Sequence, residues 1–155
     1  MVTVVETLDF VRGAHAGQLD KAGRPYYLHT VEVMHRLGDD ATDNERMTAL
    51  LHDVVEDTHY TVSDLEMRGY PQEVWLAVHY LTRKDWMPYL DYIKHLKLDG
   101  GPIAIKVKIA DLEDHLDKRA PLAPSQIRRY EQALEILRET PAELMCDAAT
   151  ALPRR

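Results

Sequence analysis

The sequence predicts an all-α protein, a compact multi-helix bundle of about seven helices joined by short loops. Three observations predict it. Apolar residues recur at helical spacing along most of the 155 residues. Thr-x-x-Glu capping boxes at Thr3/Glu6 and Thr42/Glu45 stand directly before such runs. Strand-like alternation is confined to Ile105 to Ile109, which has no evident partner strand, and a lone strand leaves its backbone groups unsatisfied.

Each element follows from its own signals. Val4, Val5, Leu8 and Val11 repeat at i, i+1, i+4 and i+7 behind the Thr3 cap. Gly17 to Pro25 is polar and carries Gly23 and Pro25, so it reads as a loop. A second helix carries Leu28, Val31 and Met34 and stops at Gly38. Behind Thr42, one continuous stripe holds Met47, Leu50, Leu51 and Val54. Ser63 with Glu66 marks a short turn of helix. Pro71 and Pro88 suit first helical positions for helices carrying Val74, Trp75, Val78 and Leu81, and Leu90, Ile93 and Leu96. Gly100-Gly101-Pro102 is the clearest break. Residues 103–118 read better as helix than strand, which places Ala104, Lys108, Asp111 and His115 on one face, with Pro121 as the stop. Ser125 opens a helix with Ile127, Tyr130, Leu134 and Leu137, and Thr140-Pro-Ala-Glu143 reads as a final capped helix.

Composition narrows the function. The length suits one domain, 1–155. With 26 acidic and 19 basic side chains the net charge is −7, which argues against a nucleic-acid polymer or an anionic membrane surface as partner. A single cysteine, Cys146, builds neither an intramolecular disulfide nor a thiolate zinc site, and makes the reducing cytoplasm the default compartment. No apolar run reaches the roughly 18 residues of a transmembrane helix, and Met1 to Glu6 lacks the basic start of a signal peptide.

The chemistry concentrates in Leu50-Leu-His-Asp-Val-Val-Glu-Asp-Thr58. On a regular helix, His52, Asp53, Glu56 and Asp57 lie opposite the apolar stripe, as a solvated polar face would. Three carboxylates within five residues repel one another unless a cation sits among them. Adjacent imidazole and carboxylate suit Mn2+, Fe2+ or Zn2+. Neighbours on a helix point about 100° apart, so other elements must complete the shell. His29, on the first turn after a Gly/Pro loop, and Asp111, closing Val107-Lys-Ile-Ala110, stand out. Each of them alone also fits a surface role.

Taken together, Ala14-His-Ala-Gly-Gln18, Lys21-Ala-Gly-Arg-Pro-Tyr26 with His29, Leu51-His-Asp-Val-Val-Glu-Asp-Thr58, Leu81-Thr-Arg83 and Val107-Lys-Ile-Ala-Asp111 resemble the HD-domain hydrolases of the RelA/SpoT type. They are most similar to the small stand-alone alarmone hydrolases, metazoan forms included. The resemblance runs over roughly residues 5 to 137 in order and spacing. It implies an all-helical HD-domain bundle and a single phosphohydrolase domain. It implies a divalent metal, usually Mn2+, on His29, His52, Asp53 and Asp111. Glu56 and Asp57 then orient or activate the attacking water. Lys21, Arg24, His115 and Tyr130 fall where substrate is contacted. The implied reaction removes the 3′-pyrophosphate from a nucleotide alarmone such as (p)ppGpp or (p)ppApp. The implied partner is a small nucleotide, and the length leaves no room for the synthetase domain of long relatives. Three positions depart from the family pattern: His115 replaces an asparagine, Asp20 a basic residue, and Asp117 an arginine. They spare the metal set and touch the nucleotide pocket. A nucleotide or NADPH phosphatase releasing orthophosphate, and a non-catalytic nucleotide- or partner-binding module, are the alternatives.

Overall fold

The computed structural model describes residues 1–118 and 122–140. Among them, nine helical segments follow one another: α1 (Val4–Ala14), α2 (Tyr27–Arg36), α3 (Asp43–Leu51), α4 (Val54–Asp57), α5 (Val62–Met67), α6 (Gln72–Leu81), α7 (Tyr89–Asp99), α8 (Gly101–Asp117) and α9 (Pro124–Arg138). The only β pairing among the described residues is a single antiparallel bridge, Leu19 with Pro25, which closes the loop between α1 and α2. The all-α expectation is met, and residues 103–118 are helix. Among the described residues no helix is long and apolar enough to cross a membrane.

The Thr3/Glu6 and Thr42/Glu45 capping boxes form with both reciprocal hydrogen bonds. Such a cap contributes about 1 kcal/mol. Three local readings are corrected. The short fifth helix is capped by Thr61 with Asp64, not by Ser63 with Glu66; Thr61 has the extended backbone a cap needs. Pro71 and Pro88 are caps rather than first helical residues. The stripe through Val54 is not one helix. It breaks at His52-Asp53, because His52 Nδ1 donates to the Ala49 carbonyl at 2.6 Å, the acceptor an unbroken helix would give to the Asp53 amide. This division, together with α5 as a helix in its own right, raises the count above seven. Pro121, and the helix read at Thr140 to Glu143 apart from Thr140 itself, lie outside the described residues.

Helix α3 is the hub, packed against α1, α2, α6 and α8. Its Leu50 and Leu51 are fully buried, each contributing roughly 1.5–3 kcal/mol. Two apolar clusters meet across it. Val11, Met47, Leu50, Leu51, Val54, Leu65, Val74 and Val78 join α1 and α3 to α6. Ala49, Val33, Leu81, Ile93, Leu96, Val107, Leu112 and Leu134 join α2 and α3 to α6 through α9. The His52-Asp53 break therefore opens where the two clusters adjoin.

Helix α8 turns back directly from α7 through Gly100. A Cβ there would lie 2.6 Å from the Leu96 carbonyl oxygen and 3.3 Å from the Ala104 Cβ, so backbone would have to move. Gly101 follows at φ +79°, a left-handed conformation that favours glycine. Gly100→Ala is expected to destabilise the protein by about 1–3 kcal/mol in urea unfolding. An unchanged midpoint would show that the junction is not tight.

Candidate active site

The four proposed metal ligands come together from three parts of the chain. The α1–α2 loop delivers His29 to the first turn of α2, the break after α3 delivers His52 and Asp53, and α8 delivers Asp111. His29, His52 and Asp111 are 1–2 % exposed, Asp53 is partly buried, and Glu56 and Asp57 are exposed.

One oxygen is the meeting point. Asp111 Oδ1 lies 3.0 Å from His29 Nε2, 3.4 Å from His52 Nε2 and 3.2 Å from His115 Nε2. Asp53 Oδ2 lies 3.0 Å from His52 Nε2 and 3.8 Å from His29 Nε2. Metal–ligand bonds of about 2.1 Å put neighbouring donors about 3.0–3.4 Å apart, which matches this spacing. His29, His52 and Asp53 can present one donor atom each within 4.8 Å of one another, as can His29, Asp111 and His115. His52 Nε2 is buried and has no hydrogen-bond partner among the described residues. A buried polar atom without a partner signals a missing ligand. The donors are nitrogen and oxygen without sulfur, so the set fits a divalent ion of the Mn2+, Fe2+ or Zn2+ kind.

Surrounding groups fix which atom each ligand presents. His52 Nδ1 faces a carbonyl, which only accepts, so Nδ1 carries the proton and Nε2 is the free donor. His29 Nδ1 donates to Asp114 Oδ2 at 2.8 Å, again leaving Nε2 for the centre. Asp114 is in turn held by Arg36 at 3.1 Å and Lys118 at 3.0 Å. Lys108 occupies the other oxygen of Asp111 at 2.7 Å, turning Oδ1 inward. The Tyr26 hydroxyl donates to Asp53 Oδ2 at 2.6 Å. Gln18 ties the loop down: its Oε1 accepts from His15 Nδ1 at 2.8 Å and its Nε2 donates to the Asp57 carbonyl at 2.9 Å. Asp114, Lys108, Tyr26, His15 and Arg36 were not read as site residues in the sequence. The α8 spacing Lys108, Asp111, Asp114, His115 and Lys118 is the signal that could have found two of them, Lys108 and Asp114.

Burial pushes the His52 and His29 imidazoles down. The Asp53 and Asp111 carboxylates beside His52, and hydrogen bonds from Asp111 and Asp114 at His29, outweigh it and raise both. Burial pushes Asp111 up, but the Lys108 charge and the three imidazoles hold it well below the carboxylate range. Glu56 is raised by burial and the nearby Asp53 charge, against a bond from the Arg83 amide at 2.8 Å. Asp57 is pushed up to about 6 by burial and by the charges of Asp53 and Glu56.

Two clefts flank the cluster. The larger, of about 900 Å³, is lined by Lys21, Arg24, His29, Arg36, His115, Lys118 and Tyr130. The smaller, of about 480 Å³, is lined by Asp53, Glu56, Asp57, Arg83, Lys108, Asp111 and Arg129. Tyr26, His115 and Tyr130 line both. Every substrate contact expected from the sequence thus borders the larger cleft, and both expected catalytic acids border the smaller. Arg24 is paired with Asp20 at 3.2 Å and Glu32 at 3.1 Å. Asp20 also accepts the Ala22 and Arg24 amides at 2.9 Å, so this departure from the family pattern builds the turn at the cleft mouth. Asp117 pairs with Arg36 at 2.8 Å.

No family model matches the chain. Among curated proteins it is 32% identical over 136 residues to the bifunctional (p)ppGpp synthase/hydrolase SpoT of Escherichia coli K12, covering 81% of this chain and 19% of that protein. It is 45% identical over 136 residues to the guanosine-3′,5′-bis(diphosphate) 3′-pyrophosphohydrolase of Vibrio cholerae, with the same coverage. A solved structure, described as a metazoan orthologue of SpoT that hydrolyses ppGpp and plays a role in starvation responses, superposes with a TM-score of 0.73 at 26% identity, covering 96% of this chain and 93% of that one. The chain resembles the SpoT-type hydrolases in both sequence and fold. The SpoT-type likeness bears out the all-α HD-domain bundle. The chain spans about a fifth of the length of the curated SpoT-type relatives it matches.

Two outcomes are expected. Asp114→Asn weakens divalent-metal binding about 10–100-fold by calorimetry, because His29 loses its orienting carboxylate. Binding of Co2+ or Mn2+ tightens from pH 6 to 8, because raised imidazole pKa values mean protons must leave before the ion binds, and acid returns them. A pH-independent affinity would contradict this.

Proposed function

We propose that the chain is a metal-dependent phosphohydrolase that removes the 3′-pyrophosphate from a nucleotide alarmone such as (p)ppGpp or (p)ppApp, with residues 1–155 forming one hydrolase domain. The observation that carries this reading is the convergence of His29, His52, Asp53 and Asp111 beside a cleft lined by Glu56 and Asp57. Likeness to proteins named as ppGpp 3′-pyrophosphohydrolases supports the substrate class. Mn2+ is the proposed metal and the cytoplasm the proposed compartment. The proposed partner is a small nucleotide, with neither a nucleic-acid polymer nor a membrane.

A divalent ion held by His29, His52, Asp53 and Asp111 would lower the pKa of a bound water toward neutrality and place positive charge against a phosphoryl oxygen. The protein's own groups do the rest. Glu56, oriented by the Arg83 amide, and Asp57, raised toward neutrality, take the proton of the attacking water. The water oxygen adds to the phosphorus on the 3′ oxygen, the bond between that phosphorus and the 3′ oxygen breaks, the 3′ oxygen takes up a proton and departs as the nucleotide's hydroxyl, and the pyrophosphate released carries the water oxygen. Lys108, Arg83 and Arg129 offset phosphate charge in the smaller cleft. In the larger cleft Lys21 and Arg24 meet phosphate or base, and Tyr130, stacked on His115 at 5.6 Å, offers a ring face to the nucleoside.

A second reading, a nucleotide or NADPH phosphatase using the same shell, is favoured by His115 and Asp20 in the nucleotide pocket. Assaying both phosphate and pyrophosphate with guanosine and adenosine tetraphosphates and NADPH separates the two. Absence of any bound or activating divalent metal would favour the non-catalytic module.

Asp53→Ala is expected to lose both metal and turnover, and Glu56→Ala to keep the metal while kcat falls about 10²–10⁴-fold. Full manganese-dependent hydrolysis by Asp53→Ala would overturn the ligand assignment. As pH falls through about 6, Asp57 takes up a proton and ceases to act as a base, so kcat/KM falls on the acid side; an Asp57→Asn protein lacks that limb.

A further inference from the structure

We infer that His115 is a fifth protein ligand of the metal, bound through Nε2. The inference rests on the metal-shell reading above and extends it by one residue. His115 Nε2 is 3.2 Å from Asp111 Oδ1, within the same 3.0–3.4 Å range at which His29 and His52 approach that oxygen. Its donor atom can lie within 4.8 Å of those of both His29 and Asp111. It follows Asp111 by one helical turn on α8, the i, i+4 spacing at which two side chains on one helix face grip a single ion.

The ring is aimed rather than free. It stacks on Tyr130 with 29° between planes on one side and lies 4.7 Å from the His29 ring on the other. An independent observation marks the same point as a ligand position: the buried His52 Nε2 has no hydrogen-bond partner among the described residues while it faces Asp111 Oδ1 at 3.4 Å. The same contact also serves as an i, i+4 ion pair with Asp111, so the count of metal-bound nitrogens is what separates a ligand from a partner.

The donor set becomes three imidazoles and two carboxylates. Nitrogen-rich sites favour Fe2+, Co2+ and Zn2+ over Mn2+ more strongly than oxygen-rich ones. In a six-coordinate ion one position then remains for water, where four protein ligands would leave two.

The test counts nitrogen ligands. Wild-type protein and His115→Asn are loaded with Mn2+ and studied by pulsed EPR, and Co2+ affinity is measured for both by competition. His115 is one-third exposed, so its replacement leaves the core intact, which a thermal melt verifies. Three coupled imidazole nitrogens in wild type, two in His115→Asn, and a Co2+ Kd weakened about tenfold or more are expected. Exogenous imidazole restores the third nitrogen in His115→Ala. Two nitrogens in both proteins overturn the inference, whatever the affinity does. An Asp53→Ala control separates the two levels: if it loses metal while His115→Asn matches wild type, only the fifth ligand fails; if it binds as wild type does, the shell itself fails.

Discussion

A single carboxylate, Asp111, sets the geometry of the site. It is buried, and a buried charge is tolerated only when it is paired on every side. Lys108 satisfies one oxygen and three imidazoles surround the other. Removing Lys108, His29 or His52, the buried partners, leaves charge uncompensated in the interior. The rest of the bundle can be read as the means of bringing those partners together: α2 presents His29, the interruption after α3 presents His52, and α8 carries the remaining members on one face.

Much of this was legible in the sequence because it rests on local rules. Thr3 and Thr42 announce their helices through hydrogen bonds that span three residues. The ambiguous Ile105 to Ile109 resolved to helix because no second strand existed to pair with it. His29, His52, Asp53 and Asp111 were implied as a set by the resemblance, and the fold brings these four side chains together. The break at His52-Asp53 was not, because it depends on a side chain capturing a backbone carbonyl, and periodicity carries no record of that competition. That Asp114 holds His29 was not legible. Its role exists only because α2 packs on α8, a contact 85 residues apart in the chain.

The departures from the family pattern prove to have physical content. Asp20 folds the turn that carries Arg24, so that arginine reaches the cleft already neutralised by Asp20 and Glu32. Asp117 takes up Arg36, which also holds Asp114, so a surface acid is linked through two pairings to the orientation of His29. Changes that look peripheral along the chain are thereby connected to the centre.

The wall shared by the two clefts has a consequence of its own. Tyr26, His115 and Tyr130 stand between a roomy compartment and a smaller one that contains the acids. A ligand occupying both would have to span that wall, so the separation of the two compartments sets the length such a ligand would need.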